Sequence, residues 1–242
     1  MSRSLSVVVP ALNEALHVRD AVDQVRLAVD GRFEDWEILL FDDGSTDETG
    51  AIMDALAADD PRLRVTHNPR PNNLGGVYAQ GVDMARMSHL VMIPGDNENP
   101  ASAMIPVFDA VGRADIILPY PENSAVRGIA RDTLSRAYTR LFNLLFGLDV
   151  PYFNGTVVHR TDLLRAITIE TTSFAYQAEI LIKLLRRGAS WAPVGIEIAP
   201  QPDRESKALT ARNLYGVARA MVGLLWETRV KDAMRTGARA TR

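Results

Sequence analysis

The sequence has no cysteine and no long hydrophobic run, and each absence excludes a class of protein. Without cysteine the chain can form neither a disulfide nor a thiolate-bound metal site. No stretch approaches the roughly 18 uninterrupted apolar residues that indicate a transmembrane helix. The first apolar run, residues 5–9, is too short for the core of a signal peptide. We therefore expect a protein of the reducing cytoplasm.

The sequence also lacks an excess of basic charge. It has 27 Lys and Arg residues against 30 Asp and Glu residues, which gives a net charge of −3. Proteins that bind nucleic acid normally show a strongly basic stripe, so nucleic acid is not expected as a partner. Of the 242 residues 47% are hydrophobic, which is enough to bury one sizeable core.

What the sequence does have is an alternation of short β-branched runs with stretches of helical spacing. The strand-like runs are residues 5–9, 37–41, 64–67, 89–93, 114–119 and 191–198. The helical stretches are residues 14–29, one ending near residue 58, 77–87, 131–147, 161–166, 174–187 and 215–229. Asn13 is expected to cap the first helix, and residues 72–76 are expected to form a loop. The alternation predicts an α/β fold with an open, mostly parallel sheet flanked by helices.

Three of the predicted strands end in polar clusters. The clusters are Asn13-Glu14, Asp42-Asp43 and Asp96-Asn97-Glu98. In an open parallel sheet the carboxyl ends of the strands share one edge, and ligands bind there. We therefore expect the three clusters to meet in one site.

Five motifs in order resemble one enzyme family. They are "VVVPALNE", "DDGSTDET", "IPGDNENP", "FAYQAEIL" and "RESKALT". Together they resemble the family 2 glycosyltransferases of GT-A (Rossmann-like) fold, in the branch similar to dolichyl-phosphate mannose synthase. The resemblance runs from about residue 5 to about residue 225.

This resemblance implies an inverting glycosyltransferase. It implies transfer of a sugar from a nucleoside diphosphate sugar, GDP- or UDP-linked, to a polyprenyl phosphate. Two alternatives stay open: transfer to a soluble or protein-bound hydroxyl, and a protein that binds nucleotide sugars without turning them over.

The first two motifs resemble the nucleotide pocket of that family. The implied nucleotide-binding residues are Pro10, Ala11, Asn13, Glu14, Asp42 and Asp43. An acidic residue at a strand end can accept hydrogen bonds from a base or a ribose. The alternative is local structure alone: Asn13 as a helix cap, and residues 43–45 as a turn followed by Asp47 as a cap.

The third motif resembles the family's metal-binding Asp-x-Asp. Pro94 stands where the first Asp is usual, so the implied ligands of Mg²⁺ or Mn²⁺ are Asp96 and Glu98. Mg²⁺ keeps several waters and needs only one or two protein carboxylates. The alternatives are a polar turn without metal, and Arg side chains that take over the charge of the diphosphate.

Basic residues further along resemble the family's phosphate contacts. Arg127 and Arg131, with Arg136 beside them, would pair with phosphate oxygens, and Arg131 is the strongest candidate for a catalytic role. Arg204, Ser206 and Lys207 would reach the diphosphate or the acceptor phosphate. The alternative for each is an ordinary solvated side chain.

Two further segments resemble acceptor-side elements. Gln177 and Glu179 would face the site, with Glu179 as the base if the acceptor is a hydroxyl. The alternative is an exposed Glu179 that pairs with Lys183. Asn154-Gly155 replaces the usual Ser-Gly, and its alternative is a hairpin-like turn.

The chain is expected to divide into a GT-A domain, residues 1–212, and a C-terminal amphipathic helix with a basic tail, residues 213–242. Such a helix can lie on an anionic membrane, which would make the protein peripheral to the inner membrane face. It can equally pack on its own domain or on a second subunit in a homodimer.

Overall fold

A computed structural model describes residues 3–173, 175–198 and 223–226. The strands are β1 (Ser4–Ala11), β2 (Asp35–Asp42), β3 (Leu63–His67), β4 (His89–Met92), β5 (Ile116–Pro121), β6 (Val158–Arg160) and β7 (Trp191–Ile196). The helices are α1 (Val18–Val29), α2 (Thr49–Asp59), α3 (Asn73–Met84), α4 (Ala101–Asp109), α5 (Ile129–Phe146), α6 (Thr161–Arg165) and α7 (Tyr176–Leu185). A short 3-10 helix, Ser124–Arg127, precedes α5.

The strands form one open sheet in the order β3-β2-β1-β4-β6-β5-β7. β6 is antiparallel to both β4 and β5, and the other pairings are parallel. The predicted fold class is confirmed, since helices flank a mostly parallel sheet. β6 was not predicted. It pairs with two strands distant in sequence, so residues 152–157 do not form the hairpin-like turn that was the alternative for Asn154-Gly155.

The sheet separates two hydrophobic clusters because side chains alternate along each strand. In β1, Val7 and Val9 point into a first cluster with α1, α2 and α4. Val8 points into a second cluster with α3, α5 and α7. All eight residues of β1 are buried, as expected for a central parallel strand with helices on both faces.

Some predicted boundaries are wrong. α1 begins at Val18 rather than at residue 14, and Asn13 is not its cap. Asn13 adopts a left-handed conformation with φ 57°, which leaves residues 14–17 as a turn before the helix. α3 begins at Asn73, so the predicted loop at 72–76 is mostly helix. α4 was not predicted at all.

The C-terminal part is described only at residues 223–226, a helical turn in which Leu224 is buried in the second cluster. The rest of the predicted helix and basic tail lies outside the described residues, so the division at residue 212 stays a prediction. In the described part of the chain, every helix is too short or too polar to be a membrane-spanning segment.

Candidate active site at the carboxyl edge of the sheet

The three polar clusters meet at the end of β1. Ala11 pairs with Asp42 in the parallel register, and the backbone N–H of Asp43 donates to the carbonyl of Ala11 at 2.9 Å. On the other side, the N–H of Gly95 donates to the carbonyl of Pro10, also at 2.9 Å. The end of β1 therefore lies between the Asp42-Asp43 corner and the turn that carries Asp96, as the sequence predicts.

The loops after β1 and β2 are bonded to each other. The side-chain Oδ1 of Asn13 accepts the backbone N–H of Thr46 at 2.8 Å, and the N–H of Asn13 donates to Ser45 Oγ at 3.0 Å. The N–H of Glu14 donates to Thr49 Oγ1 at 2.8 Å. Asn13 thus joins two loops instead of capping a helix, and its left-handed backbone aims it at Thr46.

Asp42 is bound at both carboxylate oxygens. Its Oδ1 accepts the N–H of Ser45 at 2.9 Å, and its Oδ2 lies 3.0 Å from Nδ1 of His67, its partner in the β3 register. Burial alone would raise the pKa of Asp42, but the hydrogen bonds from His67 and Ser45 outweigh it and lower that pKa. Asp42 is therefore held as a carboxylate at the edge of the sheet.

His67 is the residue that sequence reasoning passed over. Its Nε2 lies 3.1 Å from Asp54 of α2, so the ring bridges two carboxylates. The hydrogen bond with Asp42, and then that with Asp54, raises the pKa of His67. Its position in the sequence could have identified it, because His67 ends a predicted strand just as the acidic clusters do. Polar residues at the carboxyl ends of parallel strands lie at the edge where ligands bind.

Asp43 organises the start of α3. Its Oδ1 accepts the side-chain amide of Asn68 at 2.9 Å and the backbone N–H of Asn72 at 2.8 Å. Its Oδ2 accepts the N–H of Asn73 at 3.0 Å. The adjacent acids of the motif therefore hold different elements: Asp42 holds His67, and Asp43 holds the first turn of α3.

The turn after β4 places two carboxylates at the rim. Asp96 is half-buried and Glu98 exposed, and Oδ1 of Asp96 accepts the N–H of Glu98 at 3.2 Å. Asn97 between them is left-handed, with φ 57°. A Cβ on Gly95 would lie 3.0 Å from the Cβ of Ala11, so a glycine lets this turn approach β1 closely.

These donors fit a hard divalent cation that shares its coordination with a diphosphate. Within residues 3–173, 175–198 and 223–226 no cluster of three or more His, Asp or Glu side chains has the geometry of a metal site. Mg²⁺ commonly takes one or two carboxylates and completes its shell with phosphate oxygens and water. Asp96 and Glu98 supply that number of carboxylates, beside the end of β1.

A cavity of about 550 Å³ opens at the end of β5. It lies between residues 120–122, one flank of α5 and residues 150–152, and Arg136 lines it. Arg136 Nε contacts Asp132 at 2.9 Å. A hydrogen bond from Ser124, and then that from Arg136, lowers the pKa of Asp132. Because β5 runs parallel to β4, this cavity opens on the same edge as Asp96.

Several predicted phosphate-binding side chains lie outside the described part of the structure. They are the side chains of Arg127 and Arg131 and the whole residues Arg204, Ser206 and Lys207. Their roles stay predictions. The backbone at 127–131 is described, and it leads from the end of β5 into α5 beside the cavity.

Glu179 lies in the interior and pairs with Lys183. The pairing is the one given as the alternative to a role in the site, but the predicted exposure of Glu179 is wrong. It is 1% exposed and contacts Lys183 Nζ at 2.7 Å. Its two oxygens also accept the backbone N–H groups of Glu170 and Thr171. Burial alone would raise the pKa of Glu179, but the bonds from Lys183, Glu170 and Thr171 outweigh it and lower the pKa.

The loop that Glu179 holds rests on α3. The carbonyl of Thr172 accepts the N–H of Gly75 at 3.0 Å, and a Cβ on Gly75 would lie 2.0 Å from the carbonyl oxygen of Thr171. Gln177 is also buried, and its Nε2 donates to the carbonyl of Gly155 at 2.9 Å. The first turn of α7 therefore fixes two loops, 168–172 and 154–155.

Comparison with known proteins gives a consistent result. A family model described as glycosyl transferase family 2 matches residues 6–155. Undecaprenyl-phosphate mannosyltransferase of Micrococcus luteus is 26% identical over 234 residues, which cover 91% of this chain and 95% of that protein. Polyprenol monophosphomannose synthase of Mycolicibacterium smegmatis is 28% identical over 203 residues, 78% of this chain and 75% of that protein.

A solved structure shares the fold. Glucosyl-3-phosphoglycerate synthase from Mycobacterium tuberculosis, in complex with Mn²⁺, UDP-glucose and phosphoglyceric acid, matches with a TM-score of 0.69. The match covers 92% of this chain and 80% of that chain at 19% identity. At this identity the likeness shows the fold alone.

Proposed function

This chain is a glycosyltransferase that belongs to glycosyl transferase family 2, and from that premise we propose that it transfers a sugar from a GDP- or UDP-sugar to a polyprenyl phosphate. The observation that carries the proposal is the meeting of Ala11, Asp42 and Gly95 at one sheet edge, inside the segment that matches the family. The relatives named for polyprenyl phosphate acceptors support the choice of acceptor.

The nucleotide would lie at the end of β1, between the loops that follow β1 and β2. Pro10, Ala11, Asn13 and Glu14 supply one wall, and Asp42 and Asp43 supply the other. Because both acids are already held by the protein, they meet the ligand in a fixed orientation. Oδ1 of Asp43 already accepts two hydrogen bonds. The other three carboxylate oxygens each accept one, and an oxygen with two lone pairs can accept a second from a ribose or a base.

Asp96 and Glu98 would hold Mg²⁺ or Mn²⁺ together with the donor diphosphate. When bound, that cation neutralises charge on the leaving diphosphate. Arg131, with Arg127, Arg204, Ser206 and Lys207, would contact the remaining phosphate oxygens. Attack by the acceptor oxygen forms a new bond to the anomeric carbon from the face opposite the diphosphate. The bond to the diphosphate breaks, and the configuration inverts.

The contacts of Glu179 bear on the choice of acceptor. A hydroxyl acceptor needs a base to take its proton, whereas a phosphate acceptor is already anionic. Glu179 accepts bonds from Lys183 and two backbone N–H groups in the interior, a position suited to fixing loops. We therefore assign Glu179 a positioning role, and this assignment favours a phosphate acceptor over a hydroxyl acceptor.

The first test is the stabilisation of the full chain by GDP and UDP, with and without Mn²⁺. A nucleotide at a hundred times its dissociation constant should stabilise the fold by about 2.7 kcal/mol. For Asp96→Asn we expect the metal-dependent part of this stabilisation to disappear, whereas Asp20→Asn, an exposed site on α1, should behave like wild type. Stabilisation by neither nucleotide would contradict the proposal.

Turnover is the second test. Wild type should release the matching nucleoside diphosphate from a panel of GDP- and UDP-hexoses only when a polyprenyl phosphate is present. A chain that binds nucleotide sugar but leaves the sugar attached under every condition would be a binding protein. Transfer to an alcohol but not to a prenyl phosphate would show that the proposed acceptor is wrong.

A further inference from the structure

α5 leaves an apolar stripe uncovered on its outer side. The stripe consists of Leu134, Leu141 and Leu144, which are 47%, 45% and 80% exposed. Spacings of seven and three residues place them on one side of a helix. Val126, just before the helix, is 40% exposed. This one segment therefore supplies four of the eight large hydrophobic side chains that are exposed among the described residues.

The other sides of α5 have separate roles. Phe142 and Phe146 face the second core cluster and are 2% and 4% exposed. Arg136 and Arg140 line the cavity at the end of β5. At 3.6 residues per turn, Arg140 lies roughly 40° around the helix axis from Leu144. The cavity-lining side of the helix therefore adjoins the outer stripe, with basic residues between them.

The charge of α5 is opposite to that of the whole chain. The helix carries three Arg residues and one Asp residue, a net charge of +2, within a chain of net charge −3. A helix with a basic side next to an apolar side is suited to the surface of an anionic membrane. Each basic residue near such a surface adds to the attraction, which falls off within a Debye length.

Trp226 ends a helical turn that packs on the same side of the sheet as α5. It is 65% exposed, while Leu224 is 4% exposed and belongs to the cluster that contains Phe142 and Phe146. Tryptophan is enriched at the boundary between membrane and water because its ring is apolar and its N–H is polar.

We propose that the outer stripe of α5 and Trp226 dock on a membrane surface that contains anionic phospholipid. The leucines enter the boundary of the acyl chains, and Arg136 and Arg140 lie at the level of the headgroups. In this orientation the cavity at the end of β5 opens at the depth where the phosphate of a prenyl lipid lies. This inference rests on the proposed function and deepens it, because it says how the site would come to lie beside an acceptor that is embedded in a membrane.

Flotation of the full chain with vesicles tests the docking directly. Wild type should bind vesicles of phosphatidylcholine and phosphatidylglycerol, bind phosphatidylcholine alone more weakly, and lose affinity as salt is added. The variant L141S/L144S should partition at least about tenfold less, since two leucines no longer enter the membrane. The control L16S/L27S changes two other exposed leucines, of which Leu27 lies on α1 in the opposite layer, and should float like wild type.

Three results would overturn the docking. One is a wild type that floats with neither vesicle. Another is L141S/L144S floating like wild type, which would assign membrane contact to residues other than the stripe. The third is a wild-type dimer that L141S/L144S converts to monomer with no change in flotation, which would make a second copy the occupant. Thermal unfolding of L141S/L144S at the wild-type temperature excludes a folding defect.

Turnover with two acceptors separates this inference from the proposed function. L141S/L144S should keep wild-type turnover on a short-chain, water-soluble prenyl phosphate and lose about tenfold on a long-chain one embedded in vesicles. Equal loss on both acceptors would contradict docking through the stripe. If wild type floats with the vesicles but transfers sugar to neither acceptor, the docking is supported and the proposed acceptor is wrong.

Discussion

Two ionisable residues around the site, Glu179 and His67, have pKa values shifted in opposite directions. The pKa of Glu179 is lowered and the pKa of His67 is raised. In each case burial disfavours the charged form, but the hydrogen-bonded partners stabilise that form by more than burial penalises it. The difference in burial decides how much each shift matters. Glu179 and Lys183 have side chains 2% and 8% exposed, whereas His67 is 47% exposed.

Removing the charge of Glu179 should destabilise the protein strongly. In Glu179→Gln the ammonium of Lys183 stays buried without its counter-ion, and breaking such a pair costs about 3–5 kcal/mol of unfolding free energy. The double variant E179Q/K183M should recover part of that loss, because no unpaired charge remains. Urea denaturation of the four proteins in the cycle measures this, with Glu98→Gln as the exposed control. No recovery in the double variant would contradict the buried pair.

The same cycle has a pH dependence. Because the pKa of Glu179 is lowered on folding, its contribution is present above its unfolded value of 4.5 and is lost as the pH falls through the folded pKa. The denaturation midpoint of wild type should therefore drop more steeply below about pH 4.5 than that of E179Q/K183M.

His67 gives a pH dependence of the opposite sign. Its pKa is raised above the unfolded value of 6.5, so the stability it contributes is present below pH 6.5 and is lost as the pH rises through the folded pKa. Since the ring is half exposed, we expect about 0.2–1 kcal/mol of unfolding free energy. Denaturation at about pH 6 and about pH 9 should show this difference in wild type but not in His67→Gln. An equal pH dependence in His67→Gln would assign it to other groups.

At the scale of elements, the close approach of α3 to the loop at 168–172 depends on Gly75. In Gly75→Ala the new methyl group would overlap the backbone of Thr171 and Thr172, which no side-chain rotation can relieve. We expect a loss of about 1–3 kcal/mol, as for other overpacked sites. Gly223→Ala is the control, because its methyl group would meet nothing within 4 Å. Calorimetric unfolding of both variants measures the difference. Equal stabilities would show that the loop at 168–172 can shift away from α3 at little cost in free energy.

The elements also show how far the sequence could be read. β-branched runs between helical stretches were sufficient to predict that β1, β2 and β4 are parallel, but not their order in the sheet. The polar residues at strand ends were sufficient to predict that Asn13, Asp42 and Asp96 lie at one edge. The start of α3 was missed because Asn72-Asn73 and two glycines are typical of a loop. Here, however, the carboxylate of Asp43 satisfies the first N–H groups of the helix. Such a tertiary cap leaves no local signal.

Two other misses have similar causes. β6 has only three residues, too few for a period of two to stand out, and its pairing with β4 and β5 is non-local. The burial of Glu179 could not be read from an i, i+4 spacing with Lys183, since that spacing is most often an exposed pair. The interior position depends on the loop at 168–172 that folds over it.

At the scale of the whole molecule, both hydrophobic clusters share the strands of one sheet. Val7 and Val9 pack on one side of β1, and Val8 packs on the other. If the helices of either layer separate from the sheet, they expose one face of the strand on whose other face the second layer packs. We therefore expect the two layers to unfold together.

Tryptophan fluorescence can test this coupling. Trp36 belongs to the first cluster, and Trp191 packs against the second. In variants in which Trp36 or Trp191 is the single tryptophan, with Trp226 also replaced, the urea transitions should coincide with each other and with the loss of helix by circular dichroism. A first layer that melts at lower urea than the second would show two independently folding halves.

Asn13, Asn73 and Asn97 share a left-handed backbone, with φ between 57° and 60°, and they are the non-glycine residues with positive φ in the described part of the chain. Asn13 and Asn97 lie in the loops after β1 and β4, and Asn73 is the first residue of α3. Few residue types tolerate this conformation, with Asn, Asp and Gly foremost and β-branched types excluded. These three positions can therefore change over evolutionary time to only a few residue types. Position 13 is restricted further, because the side chain of Asn13 also accepts a hydrogen bond from Thr46.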